Sequence, residues 1–344
     1  MVDIIDLTNI GADQIKMIGA APVQPIAQVI PNNTLVMGDS PVYRIRELPW
    51  EGISTDVRGI THVEDALIKA NLNWKVVQVP IEVEGKVVPH RVANIRKDTR
   101  EFIEVVSPIY KPFQNSQAFA FLEGVLGSGA MQIETAGSFG FDSVFIEART
   151  EGIHVLGDEI IPYALIRNSH DGSSSVKVCL TPTRVRCKNT LSLALKTAPR
   201  VWSAKHTSGI EDRMKEAQNM LHIIHTYTEE FPVVAEAMAA KNIGETEIVS
   251  VLEKMFPIKK DAGVRAQNNV REAVHEIMTI YTKTPDLKKF HGTAWGFYNA
   301  VGDYTTHHVP TRETASWRES RLSKIADGHP LLDMAQVALA AIPA

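Results

Sequence analysis

Cysteine is nearly absent, with only Cys179 and Cys187 in 344 residues. That excludes a disulfide-stapled scaffold and fits a reducing compartment. Neither Cys-x-x-Cys nor His-x3-His spacing occurs, so there is no zinc-ligand pattern, and no metal or other cofactor is expected. Val-Cys179-Leu reads as a small buried hydrophobe. A run of about 18 apolar residues, the length that spans a bilayer, is also missing. The apolar stretch LLDMAQVALAAIPA is short and broken by Asp333 and Gln336. No basic segment precedes an apolar one near residue 1, so neither a secretory signal nor a membrane partner is expected. Catalytic signatures are lacking too: there is no Gly-x-Ser-x-Gly, His-Glu-x-x-His or paired-carboxylate motif. Gly124 to Gly129 is glycine-rich but closes a helix pattern and lacks the Lys-Ser/Thr of a phosphate loop. Nothing in these motifs requires an enzyme. With net charge −4 there is no general positive coat, so any nucleic-acid contact must come from a local cluster.

What is present suits a globular protein. Hydrophobic residues make up 44% and charged residues 22%, enough apolar material for a sizeable core in one large or two modest domains. Residues 1–60 carry Pro, Gly and Asn breakers without periodicity and read as an irregular arm. Residues 61–208 read as an α+β core, beginning with a capping box at Thr61-His62-Val63-Glu64 that opens a helix to about Ala70. WKVVQVPIEV and VVPHRVANIR flank Glu84-Gly85-Lys86 as a hairpin, with FIEVVSPIY as a third strand. Asn115 is placed to cap the next helix, in which Phe119, Leu122, Val125 and Leu126 recur and which Gly127 and Gly129 end. From Met131 to Cys187 the period changes to two, and MQIETA, SVFIEART, EIIPYALIR and SSVKVCLTPTRVRC predict an antiparallel meander. Residues 209–344 read as helical, with Met214, Ala217, Leu221, Ile224 and Tyr227 on one face of a long helix and PIKKDAGVRAQNN as a loop. Phe290, Trp295, Phe297, Tyr298 and Tyr304 are expected to pack a helix on the core, with a subunit contact as the other reading.

Between Asp171 and Glu211 there is no acid at all. The interval holds Lys177, Arg184, Arg186, Lys188, Lys196, Arg200 and Lys205, with Trp202 and His206 beside the last of them. Solvated surfaces usually mix charge signs, so a one-sign interval of this length points to a polyanion. As a strand, 184–188 would hold three cations on one face about 6.6 Å apart, from a rise of about 3.3 Å per residue. Val185 and Cys187 would face inward. Arginine forks suit phosphates, and Trp202 offers a plate for base stacking. The alternative is a strand face whose cations pair with acids elsewhere, or an edge kept basic against aggregation.

Asn168-Ser169-His170-Asp171-Gly172-Ser173-Ser174 gathers polar groups between two strands. Asp-Gly-Ser marks a β-turn. A loop that contacts phosphate through Asn168, His170 and Ser173 is a second reading, and His170 as a general base is a third.

Several stretches resemble one family: PWEG near 50, VEDALIKANLNWKV, YKPFQNSQAFAFLEGVL, ETAGS, NSHDGSSSVKVCLTPTRVRCKNTLSLAL and GTAWGFYNAVGDYTTH. They are similar, over most of residues 45–310, to the phage- and plasmid-borne proteins called domain of unknown function 932. The first 40 residues look particular to this chain, and Phe139-Gly140-Phe141-Asp142 stands where that family's pattern has a more basic turn. The resemblance implies a mobile element and hence the cytoplasm of a bacterial host, where proteins of such elements commonly handle DNA. The order helix, meander, basic strand, helix is also similar in outline to phage single-strand annealing proteins, which form oligomers and hold DNA in a basic groove. The expectation is a twisted antiparallel meander packed on helices, followed by a mostly helical region. Its expected function is to bind single-stranded DNA and promote annealing-type recombination as a homo-oligomer. The alternatives are an enzyme acting on nucleic acid or a nucleotide through residues 168–174, and a protein that binds a host factor.

Overall fold

A computed structural model describes residues 52–140, 142–184, 191, 201–207, 209–210, 220–258, 263–309, 320–321, 324 and 328–343. The fold is α+β, as the change of hydrophobic period predicts. The strands are β1 (Ser54–Asp56), β2 (Val76–Val83), β3 (Lys86–Arg96), β4 (Phe102–Val106), β5 (Gln132–Phe139), β6 (Ser143–Arg149), β7 (Ile153–Val155), β8 (Asp158–Ser169), β9 (Val176–Arg184) and β10 (Val201–Ala204). Seven of them form one sheet in the order β1-β5-β6-β8-β9-β10, with β7 paired to the start of β8; β2-β3-β4 form a second sheet. Every pairing is antiparallel.

The large sheet is apolar on both faces, because its central strands alternate two kinds of buried residue. Val144, Ile146, Ala164, Ile166, Val176, Val178 and Leu180 face the main core. Phe139, Phe145, Ile161, Tyr163, Leu165 and Cys179 point the other way and form a second cluster. The helices are α1 (Val63–Lys69), α2 (Asn115–Phe119), α3 (Leu122–Gly127), α4 (Met220–Ala240), α5 (Glu245–Met255), α6 (Val264–Lys283), α7 (Ala294–Asp303) and α8 (Pro330–Ala340). The main core runs from the sheet into this helical layer without a break. Helix α7 lies at its centre, buried along its whole length, against α4, α6 and α8. Phe290, Trp295, Phe297, Tyr298 and Tyr304 are all core residues, and Trp295 stacks on Tyr298 with ring centres 6.2 Å apart. Lys289 ties the layers together through Asp158 Oδ1 at 3.2 Å and the Leu156 carbonyl at 2.9 Å. No helix among the described residues is long and apolar enough to cross a membrane.

Several local expectations are corrected. Thr61 does not cap α1: the cap residue is His62, without a side-chain bond, and Glu123 of α3 accepts from the Val63 N–H instead. Asn115 does not cap α2, because Gln114 and Gln117 form the capping box and Asn115 turns into the interior. The single helix expected from Asn115 to Gly127 is two short ones, α2 and α3. VRAQNN is the first part of α6, not loop. Residues 54–56 of the expected arm are β1, paired with β5, and residues 201–204 form an unforeseen strand, β10. The Glu84–Gly85 hairpin turn is as expected, with φ of 51° and 74°. Residues 1–51, and with them most of the expected arm, lie outside the described residues.

One close approach yields a test. A Cβ on Gly137 would stand 2.4 Å from the Ile53 carbonyl oxygen and 2.6 Å from the Phe145 ring. Gly137→Ala must therefore push edge strand β1 away or displace a core ring. A loss of about 1–3 kcal/mol in denaturant unfolding is expected. An unchanged midpoint would show that β1 does not pack here.

Candidate nucleic-acid interface

The hairpin β8–β9 pivots on the turn at Asp171–Gly172 and folds Arg167 directly opposite Lys177. Lys177 pairs on its other side with Ser203 of β10. All three share the sheet face that carries Leu165 and Cys179, beyond the edge of the second apolar cluster. Arg167 is held in place: Nε donates to Ser143 Oγ at 2.8 Å, and the guanidinium lies 5.4 Å from the Phe139 ring centre. Lys205 is exposed just past β10.

The turn is built by Asp171. Its carboxylate accepts from the Ser169 and Ser173 hydroxyls and, at 2.9 Å, from the Ser173 N–H. Gly172 supplies the positive φ of 76°. Burial opposes ionisation of Asp171, but the serine hydrogen bonds and the Arg167 charge outweigh it and hold the carboxyl below its usual range. The cation at Arg167 is thus partly offset by a nearby acid.

The cations expected from the sequence are only partly brought together. Lys177 is in the row just described. Trp202 is opposite Val178, one residue out of phase with Lys177, so it lies half-buried against the main core on the other face of the sheet. A base stacked on that indole would not share a face with Lys177. Arg184 closes β9, paired through its backbone with Ile160. Arg186, Lys188, Lys196 and Arg200 lie outside the described residues, as do Val185 and Cys187. Arg167 was missed because it precedes the acid-free interval. The signal was the turn itself: a hairpin centred on Gly172 places residues five before and five after it side by side.

Residues 168–170 have a different role from that of a surface loop. Asn168 and His170 are 0% exposed. Asn115 is the hub. Its Oδ1 accepts from Asn168 Nδ2 at 3.0 Å and pairs with His170 Nε2 at 2.9 Å, while its Nδ2 donates to the Leu72 carbonyl at 2.9 Å. Asn168 also donates to the Phe113 carbonyl at 2.9 Å, and Asn94 of β3 donates to the His170 carbonyl at 2.7 Å. Tyr110 donates to the Ser169 carbonyl at 2.9 Å, and its ring stacks on His206 with centres 4.9 Å apart. These bonds pin the small sheet, the segment before α2 and the end of β8 to one another.

Both histidines are held neutral. Burial pushes His170 down to about 3, helped by the facing His206, and burial pushes His206 down to about 4. Burial also drives the Tyr110 phenol up. Because His170 Nε2 donates to Asn115 Oδ1, the proton sits on Nε2 and Nδ1 is the bare acceptor. Among the described residues, no hydrogen-bond partner reaches His170 Nδ1, either ring nitrogen of His206, or Asn168 Oδ1. His170 presents no exposed atom to a substrate, so the geometry adds nothing to its reading as a general base. Ser173 alone of the three predicted loop contacts is exposed.

The pieces YKPFQNSQAF and NSHDGSS, far apart in the chain, are thus two halves of one buried polar tie. No curated protein and no solved structure matches the chain. A family model described as domain of unknown function (DUF932) matches residues 102–326, which contain both halves of the tie and the Arg167–Lys177 pair, and the chain belongs to that family.

Proposed function

We propose that this protein binds single-stranded DNA at the turn end of the β8–β9 hairpin, on the face that carries Arg167 and Lys177, and acts, as a homo-oligomer, in annealing-type recombination of a mobile element. The observation that carries the reading is Arg167 standing directly across from Lys177. Like charges opposite one another in a sheet are destabilising by themselves, and an anion between them turns that repulsion into attraction. The guanidinium is already oriented by Ser143 and Phe139, so little is lost in ordering it when a phosphate arrives. Lys205, just past β10, is exposed. Annealing needs no covalent chemistry, only neutralised phosphates and bases left open to pair. The oligomer part draws support from β4, which among the described residues pairs only with β3 and leaves Phe102 and Val105 exposed along an open edge.

The test is retention of a labelled oligonucleotide as salt is raised. Affinity is expected to fall linearly on logarithmic axes, by about 0.7 in slope per phosphate contact. Lys177→Gln together with Lys205→Gln is expected to reduce that slope by about 1.4, two contacts at ~0.7 each. Oligonucleotide binding that ignores salt, or whose slope the double variant leaves unchanged, would remove the reading.

A further inference from the structure

The small sheet β2-β3-β4 has an inward and an outward face, and cross-strand partners share a face. Val76, Gln78 and Asn94 point inward, to the main core, the Tyr110 carbonyl and the His170 carbonyl. By alternation the outward face carries Val77 opposite Ile95 and Val79 opposite Ala93. On β4 it carries Phe102 opposite Ile95 and Val105 opposite Ala93. Phe102 and Val105 are three residues apart and would normally face opposite ways. The shift of register at Asn94–Ile95 leaves Ile103 as an extra residue in β4 and turns both to the same side. Phe102 is 57% exposed and Val105 41%.

The ladder continues just past the strand ends, where the Lys97 N–H donates to the Lys75 carbonyl at 2.8 Å and sets the two lysines opposite each other. Alternation from Val77 and Ile95 places both on the outward face. Lys97 is diagonal to Phe102 on the neighbouring strand, about 7–8 Å away. Arg100 stands in the turn between them, with φ of 63°. That left-handed backbone is strained for any residue with a Cβ, and glycine would relieve it. An arginine kept at such a position points to a use for its side chain. Lys75, Lys97 and Arg100 are all exposed. Among the described residues no carboxylate comes within ion-pair distance of the three. Asp98, in the same turn, is held by Arg96 through two hydrogen bonds, at 3.2 and 2.8 Å. Arg96 belongs to the other face, its guanidinium 4.9 Å from the Trp74 ring centre. Glu101 and Glu104, across from Arg96 and Asn94, belong to that face too.

We infer that this outward face is a second contact surface for a single DNA strand, with a base stacked on Phe102 and the adjoining phosphates held by Lys75, Lys97 and Arg100. The inference rests on the proposed single-strand binding and extends it to the other sheet. Two lysines set opposite each other repel, and a phosphate between them reverses the sign of that interaction. An open aromatic ring takes any base, because every base has a π face. A nucleotide offers a flat ring and an anion within the span that separates Phe102 from the lysine pair. A bare anion would leave the ring unused, and a purely apolar partner would have to desolvate three cations. Pairing of copies through the β4 edge uses main-chain groups in the plane of the sheet. Phe102 stands perpendicular to that plane and stays free.

The experiment measures binding of the full chain to a labelled oligothymidylate and to an abasic strand of the same length, by fluorescence anisotropy over a range of salt. Phe102→Ala is expected to weaken oligothymidylate binding about tenfold and to leave abasic binding unchanged. Lys75→Gln together with Lys97→Gln should lower the salt slope by about 1.4 for both strands, two contacts at ~0.7 each. Arg100→Gly should weaken binding of both while the melting temperature holds or rises, since the turn is relieved of strain. The inference fails if Phe102→Ala binds oligothymidylate like the parent, or loses both strands equally. It also fails if Phe102→Ala changes the sedimentation of the protein and not its affinity, which would make this face a subunit contact. Loss of binding in Lys177→Gln/Lys205→Gln alone removes this inference and keeps the hairpin reading. Loss in the Phe102 and Lys75/Lys97 variants alone does the reverse, and a parent that binds neither strand removes both.

Discussion

Asn115→Ala is expected to destabilise the protein by about 3–5 kcal/mol, since each buried polar group left without its partner costs ~1–3 kcal/mol. The substitution strands the Leu72 carbonyl, leaves His170 Nε2 with only Asn168 Nδ2 at 3.2 Å, and takes the Asn115 oxygen from Asn168, which keeps the Phe113 carbonyl. Against a total stability of roughly 5–15 kcal/mol for a folded domain, that loss is decisive. Urea denaturation followed by circular dichroism checks it. The companion variant His206→Phe keeps a ring against Tyr110 and deletes two unpartnered nitrogens, so it should be neutral or stabilising at pH 7. If Asn115→Ala unfolds at the parent midpoint, the tie formed by the two sequence stretches is not what holds them together.

Acidification should weaken the fold well before carboxylates titrate. His170 and His206 have folded pKa values of about 3 and about 4, against an unperturbed value of about 6.5, with burial the main cause for both. Above pH 6.5 both states hold the rings neutral, so the full stability is present. As pH falls below 6.5 the unfolded chain takes up protons that the folded protein refuses, and each ring costs about 1.4 kcal/mol per pH unit. Between pH 6.5 and 5 the two together should remove roughly 4 kcal/mol, with the loss continuing until the folded values are reached. His329, also lowered by burial, acts in the same direction. Asp171, whose carboxyl is lowered, adds its own loss only in more acid solution, below its usual range. Unfolding midpoints at pH 7, 6 and 5 test this, and His206→Phe should remove about half of the slope. A flat profile over that span would mean that the imidazoles are not buried neutral.

How much of this was legible beforehand differs from element to element. The meander could be read because β6 and β8 alternate or run apolar between Gly and Asp turns, and the Glu84–Gly85 hairpin because two left-handed residues between β-rich runs admit little else. Helix caps were misread where a distant residue displaced the local one. Glu123 reaches the α1 terminus from 60 residues away, and Asn115 is drawn inward by Asn168 and His170. VRAQNN looked like loop because its polarity is that of an exposed helix end, which periodicity does not distinguish. At the candidate interface, the scarcity of acid singled out the stretch around Lys177 but could not assign faces. A one-residue change of phase packs Trp202 against the main core and leaves Lys177 on the opposite face of the sheet.

By itself the chain's order of residues determined the fold class, the sites of the turns, the aromatic packing of α7 and family membership, because each depends on spacing within a few residues or on long matching stretches. Only the tertiary structure decided that Arg167 meets Lys177, that NSHDGSS is an interior tie, and that Lys75 meets Lys97 beside an exposed Phe102. Those outcomes are set by register and by contacts between residues far apart in sequence. Their free energies depend on burial and on partners that no local pattern contains.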